Sequence, residues 1–156
     1  MPLFLLAAGV LILDQASKYW IKSNLAPGQS LPADWPVRLT HVTNRGAAFG
    51  LLPNQTVFFI LVAIVVVALI LLYDRILPRS TPLLRLALGL QLGGAIGNLS
   101  DRLRYGYVVD FFDLQVWPVF NVADSAIVVG VAVLFCLLVF SERTAAHEGE
   151  RTHAES

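Results

Sequence analysis

The stretch from Val57 to Tyr73 reads VFFILVAIVVVALILLY and contains no charged residue. Its 17 residues reach the lower end of the roughly 17–25 that an α-helix needs to cross the hydrocarbon core of a bilayer. Three further segments are similarly apolar, namely Leu3–Ile21, Pro82–Leu99 and Asn121–Phe140. The pattern therefore predicts an α-helical integral membrane protein with four transmembrane helices.

The composition agrees with a membrane protein. The chain has 156 residues, of which 56% are hydrophobic and 14% charged, and its mean hydropathy is +0.69. Soluble domains are about 45–50% apolar and about 25% charged. The net charge is zero, which gives no indication of nucleic acid as a partner. We expect one membrane-embedded domain over residues 1–140 and a polar, disordered tail over residues 141–156.

Few residue types are available for metal or thiol chemistry. Cys136 is the only cysteine, so neither an intrachain disulfide nor a cysteine-rich metal site can form. His41 is the only histidine outside the tail, and zinc-peptidase motifs such as His-Glu-x-x-His are absent. We therefore expect neither a metal nor an organic cofactor.

The two long connections contain short stretches that are typical of β-strands. Residues Val37–Asn44 (VRLTHVTN) alternate and are rich in β-branched side chains, and residues 107–117 (YVVDFFDLQVW) are also strand-like. An even number of spans places both of these connections on one side of the membrane and both termini on the other. Lysine and arginine are about equally frequent on the two sides, so the charges leave the orientation open.

Charged residues inside spans are rare because burying one costs at least about 2.5–3.5 kcal/mol. Asp14 and Lys18 lie four residues apart and share a face of the first helix. They are either a mutually neutralising ion pair that faces the bundle or a direct part of a functional site. Asn98, Asp101 and Arg102 end the third span. Asp101 and Arg102 are most simply an ion pair at the helix end, and both could instead support a site.

Small residues mark one face of the third span. Gly89, Gly93 and Gly97 recur at intervals of four, which is the pattern that lets a second helix approach closely. We interpret this stripe as a packing surface.

Two aspartates in apolar surroundings suggest acid–base chemistry. Asp124 lies one turn into the fourth span, where the helix dipole alone could explain it, with Asn121 as the N-cap. Asp110 lies in VVDFF, in the connection on the same side of the membrane, and has no such explanation. Two carboxylates at one membrane surface are candidates for a pair that shares a proton. Asp113 competes for this role, but its DLQ context predicts a wetter position.

Five motifs, in order, resemble those of the bacterial lipoprotein signal peptidases, also called signal peptidase II. They are DQASK (Asp14–Lys18), NRGAAFG (Asn44–Gly50), GGAIGNLSDR (Gly93–Arg102), VVDF (Val108–Phe111) and FNVADSAI (Phe120–Ile127). The resemblance covers essentially the whole chain up to Phe140.

The resemblance implies an aspartyl endopeptidase of the bacterial inner membrane. Such enzymes remove signal peptides from prolipoproteins by cutting before a cysteine that carries a diacylglyceryl group, and they are targets of globomycin and myxovirescin. The implied fold has four membrane helices, a small extracytoplasmic β-sheet cradle, a short interfacial helix and cytoplasmic termini, with the active site near the extracytoplasmic surface. Membrane lipid is a further expected partner.

Matched to the motifs, the implied catalytic residues are Asp110 and Asp124. The expected substrate-binding or supporting residues are Asp14, Lys18, Asn44, Gly46, Asn98, Asp101, Arg102 and Asn121. The run Gly46-Ala47-Ala48 follows the first predicted strand, and small residues permit another backbone to approach. We expect the extended end of the substrate to pass there.

The alternative function is a small proton-coupled transporter that uses Asp14, Asp101 and Asp124 as a relay. A relay needs polar groups across the whole membrane. The second span has none, and the other spans have theirs clustered at one end. A one-sided cluster favours chemistry at a surface.

Overall fold

The computed structural model describes residues 2–46, 55–76 and 81–154, with side chains described as far as Val139. Ala47 and Ala48, proposed as a substrate passage, lie outside these residues. The helices within them are α1 (Pro2–Asn24), α2 (Thr56–Ile76), α3 (Pro82–Tyr105) and α4 (Val122–Ala154). The short interfacial helix that the resemblance implies is not among the helices of this part of the chain.

Three of these helices are long and apolar enough to cross a membrane. They are α1 from Leu3 to Asn24, all of α2, and α4 from Val122 to Val139. The predicted membrane helices are confirmed to this extent. α3 is of sufficient length, since its 24 residues span about 36 Å at about 1.5 Å per residue. Its glycines and polar residues lower its hydropathy, so a fourth transmembrane helix stays a prediction.

The glycines of α3 bring its two neighbours into backbone contact. A Cβ atom on Gly89 would lie 2.8 Å from the Leu3 carbonyl oxygen of α1, and one on Gly93 would lie 2.6 Å from that of Ala7. On another face of α3, a Cβ on Gly94 would lie 2.5 Å from the Ala123 carbonyl oxygen of α4. α3 therefore lies centrally, parallel to α1 and antiparallel to α4, and the predicted packing role of the stripe is confirmed.

Three strands form an antiparallel sheet in the order β1-β2-β3. β1 is Ser30–Leu31, β2 is Arg38–Asn44 and β3 is Val108–Asp113. The two longer strands confirm the strands predicted in the connections. The register of β2 with β3 shifts between Leu39 and Val42, after which Val42 pairs with Asp110. Asp110 therefore lies near the end of β2 that carries Asn44.

α4 continues as a helix to Ala154, across the segment for which the sequence predicts a disordered tail. The side chains beyond Val139 lie outside the described residues. The division into a domain over residues 1–140 and a tail over residues 141–156 therefore stays a prediction.

Candidate active site

Asp110 lies at the third position of β3 and is 2% exposed. Its carboxylate accepts hydrogen bonds from Asn44 Nδ2 at 2.9 Å and from Asn121 Nδ2 at 2.7 Å. Burial, followed by the charge of Asp124, raises the pKa of Asp110 to about 7, although both amide hydrogen bonds oppose the change. Asp110 is therefore a carboxyl group that can gain or lose a proton near neutral pH.

Asp124 lies in the first turn of α4 and forms a reciprocal cap with Asn121. The Asp124 backbone N–H donates to Asn121 Oδ1 at 2.9 Å, and the Asn121 backbone N–H donates to Asp124 Oδ2 at 3.3 Å. The other oxygen, Oδ1, accepts from Asn98 Nδ2 at 2.7 Å. Capping and membership of a polar site, weighed as alternatives from the sequence, both hold for this residue.

The chain between the two aspartates folds back onto β3. Phe112 N–H donates to the Phe120 carbonyl at 2.7 Å, and Phe120 N–H donates to the Phe112 carbonyl at 3.1 Å. This bridge brings the start of α4 beside the strand that carries Asp110. As a result, Asp110 and Asp124 line one cavity of about 670 Å³.

Asn121 and Asn98 connect the two aspartates. Asn121 Nδ2, which donates to Asp110, also lies 3.1 Å from Asn98 Oδ1, and Asn98 in turn donates to Asp124. Asn121 is completely buried and Asn98 is 8% exposed. Buried amides with several partners have fixed orientations, so this pair holds both carboxylates in place.

Lys18 is the centre of a second polar cluster behind the aspartates. Its ammonium group lies 2.9 Å from Asp14 Oδ2, 3.0 Å from Asp101 Oδ2 and 2.8 Å from Asn98 Oδ1. Lys18 and Asp101 are each 2% exposed, and Asp14 is fully buried. All three ammonium protons have an acceptor, as a buried charge requires. The predicted pair of Asp14 and Lys18 is confirmed, and Asp101 completes it.

The two carboxylates of this cluster also fix backbone elements of the site. Asp14 Oδ1 accepts from the Ala123 backbone N–H of α4 at 3.0 Å, and Asp101 Oδ2 accepts from the Val109 backbone N–H of β3 at 3.3 Å. α1 and α3 therefore position the residue before Asp124 and the residue before Asp110. Gln15 Nε2 bridges both carboxylates at 3.1 Å. Gln15 is the second residue of the DQASK motif but is not among the expected site residues.

The expected ion pair between Asp101 and Arg102 is wrong, because adjacent residues of a helix point about 100° apart. Asp101 faces Lys18. Arg102 faces the cavity, where its guanidinium lies 5.0 Å from the centre of the Phe59 ring and 3.5 Å from the Gly46 carbonyl oxygen. Gly46 N–H donates to Asn44 Oδ1 at 2.9 Å, which fixes the Asn44 amide against Asp110.

Asp113 is not part of this site. It lies three residues after Asp110 on β3, and positions an odd number apart face opposite sides of a strand. The expected wetter position is wrong, since Asp113 is 5% exposed. Burial opposes its ionisation, but hydrogen bonds of 2.7 Å each from Arg38 and Thr40 hold its pKa below the usual value.

In the described part of the chain, histidine, cysteine, aspartate and glutamate are not grouped as a metal site would require. Among the side chains that the structure describes, as far as Val139, no three of these residues are placed so that they could hold a metal ion. Amide groups and the cations of Lys18 and Arg102 lie around the two aspartates.

Three apolar helices long enough to cross a membrane, together with two carboxylates on the wall of one cavity, fit an enzyme embedded in a membrane. The family model described as signal peptidase (SPase) II matches residues 6–140. The chain belongs to the signal peptidase II family, and it is a membrane peptidase that removes signal peptides.

Individual relatives of the same family are similar to this chain over most of its length. A lipoprotein signal peptidase of Moorella thermoacetica is 58% identical over 86% of this chain and 90% of its own. A lipoprotein signal peptidase of Pelotomaculum thermopropionicum is 47% identical, over 95% of this chain and 99% of its own length. A bacterial membrane enzyme solved by the in meso method at 2.3 Å resolution has a TM-score of 0.82 and 31% identity, covering 90% of this chain and 88% of its own. These comparisons give no support to a transporter.

Proposed function

We propose that this peptidase cleaves prolipoproteins before a diacylglyceryl-modified cysteine, with Asp110 and Asp124 as the catalytic pair. The observation that carries the proposal is the placement of these two carboxylates, from β3 and α4, on the wall of one cavity, with Asn121 and Asn98 between them. Both relatives named above are lipoprotein signal peptidases, which supports this substrate class.

In the proposed mechanism Asp110 holds the shared proton and Asp124 is ionised. The carboxylate of Asp124 takes a proton from a water molecule, whose oxygen attacks the carbonyl carbon of the scissile peptide bond. Asp110 donates a hydrogen bond to the carbonyl oxygen as negative charge develops on it. The tetrahedral intermediate then collapses, the C–N bond breaks, and the proton taken from water passes to the leaving amine. Atoms and charges balance without a cofactor.

The surrounding polar groups bind the substrate backbone in this proposal. Arg102 and Asn44 lie at the edge of the cavity with Gly46, where an extended peptide can reach the carboxylates. The rest of the cavity wall is largely apolar and includes Leu114 of the turn after β3 and Val128 of α4, which suits an acyl chain. Each methylene taken out of water contributes about 0.8 kcal/mol, so the acyl chains would anchor the cysteine at the membrane surface beside the cavity.

We further propose four membrane spans, with α3 as the fourth. Its length of about 36 Å, together with its contacts along α1 and α4, supports a position across the bilayer. Four spans place both termini on one side of the membrane, and the resemblance to signal peptidase II supports a cytoplasmic side, with the active site near the extracytoplasmic surface of the inner membrane. Accessible cysteines introduced at Asp34 and Arg75, after replacement of Cys136, test this. An impermeant reagent added from outside should label position 34 only, and labelling of position 75 only would reverse the orientation.

The activity test uses purified protein and a synthetic prolipopeptide that carries diacylglyceryl-cysteine. Asp110→Asn and Asp124→Asn should each lower kcat/KM by at least roughly 10³-fold, since proton transfer and charge placement fail together. Asp113→Asn is the matched control and should stay active. Normal cleavage by both Asp110→Asn and Asp124→Asn would refute the aspartyl pair. An inactive Asp113→Asn beside an active Asp110→Asn would show that the wrong acid had been chosen.

The same assay tests the lipid requirement. The peptide without the diacylglyceryl group should be a much poorer substrate, and the difference should appear mainly in KM. Equal kcat/KM values for the two peptides would contradict recognition of the lipid. Globomycin and myxovirescin should inhibit cleavage of the lipidated peptide at the same site.

A further inference from the structure

The turn after β3 exposes apolar side chains at its tip. In the segment Leu114–Trp117, called here the tip, Val116 is 92% exposed, Trp117 is 57% exposed and Leu114 is 37% exposed. No residue from Leu114 to Phe120 is charged. Three exposed apolar side chains within a segment of four residues, with Gln115 as its polar member, mark a surface that contacts a partner or a membrane.

The tip has a defined conformation. Gln115 has φ of 61°, in the left-handed region that residues other than glycine rarely adopt. Its backbone N–H donates to Asp113 Oδ1 at 2.9 Å, and its side-chain Nε2 donates to the Trp35 carbonyl at 2.8 Å. Val116 N–H donates to the Leu114 carbonyl at 2.7 Å. Because an unfavourable backbone conformation persists only where surrounding contacts enforce it, the outward direction of Val116 is built into the fold.

The depth of the tip follows from the cavity that it lines. Leu114 and Trp117 form part of the same cavity wall as Val128 and Val129 of α4. Val129 is seven residues into α4, which is about 10 Å along the helix axis. Val128 and Val129 belong to a candidate membrane span and are 67% and 51% exposed, as side chains that face lipid would be. The tip therefore shares a cavity wall with residues in the first two turns of a candidate membrane span.

We propose that the tip is inserted into the bilayer leaflet that surrounds the start of α4, with Val116 among the acyl chains and Trp117 at their boundary with the headgroups. The partner is membrane lipid, because the tip is uncharged, apolar and continuous with the lipid-facing surface of α4. Tryptophan is enriched at this boundary in membrane proteins. In this position the tip forms the wall between the bilayer and the cavity, past which an acyl chain enters from the leaflet.

The proposal rests on α4 being a membrane span and does not depend on the peptidase activity. Its test is the depth of a nitroxide label at position 116 in vesicles of phosphatidylcholine and phosphatidylglycerol. The label is attached to Val116→Cys in a Cys136→Ala background. Since Val116 is almost fully exposed, the substitution removes no packing contact. Asp34→Cys is the control, because Asp34 is exposed and its charge favours a position in water, although its neighbour Trp35 contacts the tip.

Oxygen, which concentrates in lipid, should relax the label at position 116 several-fold more than a water-soluble nickel chelate does. The order should reverse at position 34. Equal and high access of the nickel chelate at both positions would overturn the proposal. Peptidase activity of the labelled protein is measured in the same vesicles. An active enzyme with a water-exposed label refutes insertion alone, whereas an inserted label in a protein that never cleaves prolipopeptide refutes the proposed function alone.

The native tryptophan gives a second measurement that needs no label. The double variant Trp20→Phe, Trp35→Phe leaves Trp117 as the only tryptophan. Its fluorescence should be quenched by lipids with brominated acyl chains and little affected by aqueous iodide. Strong quenching by iodide together with no effect of bromine would overturn insertion, even if the substitution at Val116 had disturbed the turn.

Discussion

The difference in unfolding free energy between Asp110→Asn and the wild type should change sign with pH. The pKa of Asp110 is raised from 3.8 to about 7 in the folded protein, chiefly by burial and by the charge of Asp124. Below about pH 4 the group is protonated in both the folded and the unfolded state and has no effect on stability. As pH rises towards 7 the unfolded state loses the proton first, so the folded protein becomes less stable. Above the folded pKa the penalty is constant.

The size of the effect follows from the two pKa values. A difference of about three units corresponds to about 4 kcal/mol, since one unit is about 1.4 kcal/mol. In the variant, one amide nitrogen replaces a carboxylate oxygen, so the hydrogen bond from either Asn44 or Asn121 is lost at a cost of about 1–3 kcal/mol. Asp110→Asn should therefore be less stable than the wild type at about pH 4 and more stable by about 1–3 kcal/mol at about pH 8.

Thermal unfolding in detergent micelles, followed by intrinsic fluorescence, measures this crossover. Asp113→Asn is the matched control, because its effect on stability should depend on pH in the opposite direction. The pKa of Asp113 is lowered by its hydrogen bonds from Arg38 and Thr40, so its carboxylate stabilises the fold above about pH 4 and loses that effect as pH falls. The control should be least stable relative to the wild type at high pH. If Asp110→Asn lowered Tm equally at both pH values, the raised pKa and the reasoning from burial would be wrong.

Two further predictions concern the cluster behind the aspartates. Gly97→Ala should abolish activity and reduce the folded yield, because the new Cβ would lie 2.6 Å from Asp14 Oδ2. Gly9→Ala is the control, because no atom lies within 4 Å of its Cβ, and it should match the wild type in both measurements. Lys18→Met should lower stability by about 3–5 kcal/mol, since it leaves two buried carboxylates without a cation. Adding Asp101→Asn should restore part of the loss in a thermal unfolding assay, and no restoration would show that the carboxylates are stabilised in another way.

Much of this arrangement could be predicted because local sequence determines it. Predominantly apolar segments as long as a bilayer is thick predicted the membrane helices α1, α2 and α4. Alternation of β-branched residues predicted β2, which the structure places at Arg38–Asn44. Asp110 and Asp124 lie fourteen residues apart with Pro118 between them, so they cannot be neighbours on one helix, and the bridge between Phe112 and Phe120 folds the connection back.

The side-chain contacts that could not be predicted depend on how the helices and strands pack against one another. The direction of Asp101 is set by the rotation of α3 about its axis, which places Lys18 of α1 against it and turns Arg102 towards the cavity. Asp113 appears wet in its DLQ context, but Arg38 and Thr40 of the neighbouring strand cover it. Neither partner is close in sequence, so only the register of β2 with β3 makes that contact possible.

The partners of Lys18 explain how a cation can lie behind the site while the pKa of Asp110 stays raised. A free ammonium group at this depth would lower the pKa of any nearby carboxyl group. The ammonium group of Lys18 donates hydrogen bonds to Asp14, Asp101 and Asn98. The two carboxylates more than balance its positive charge. Its effect on Asp110 is accordingly smaller than those of burial and of Asp124. The cluster can therefore fix the backbone beside each aspartate while leaving Asp110 able to hold a proton near neutral pH, as the proposed mechanism requires.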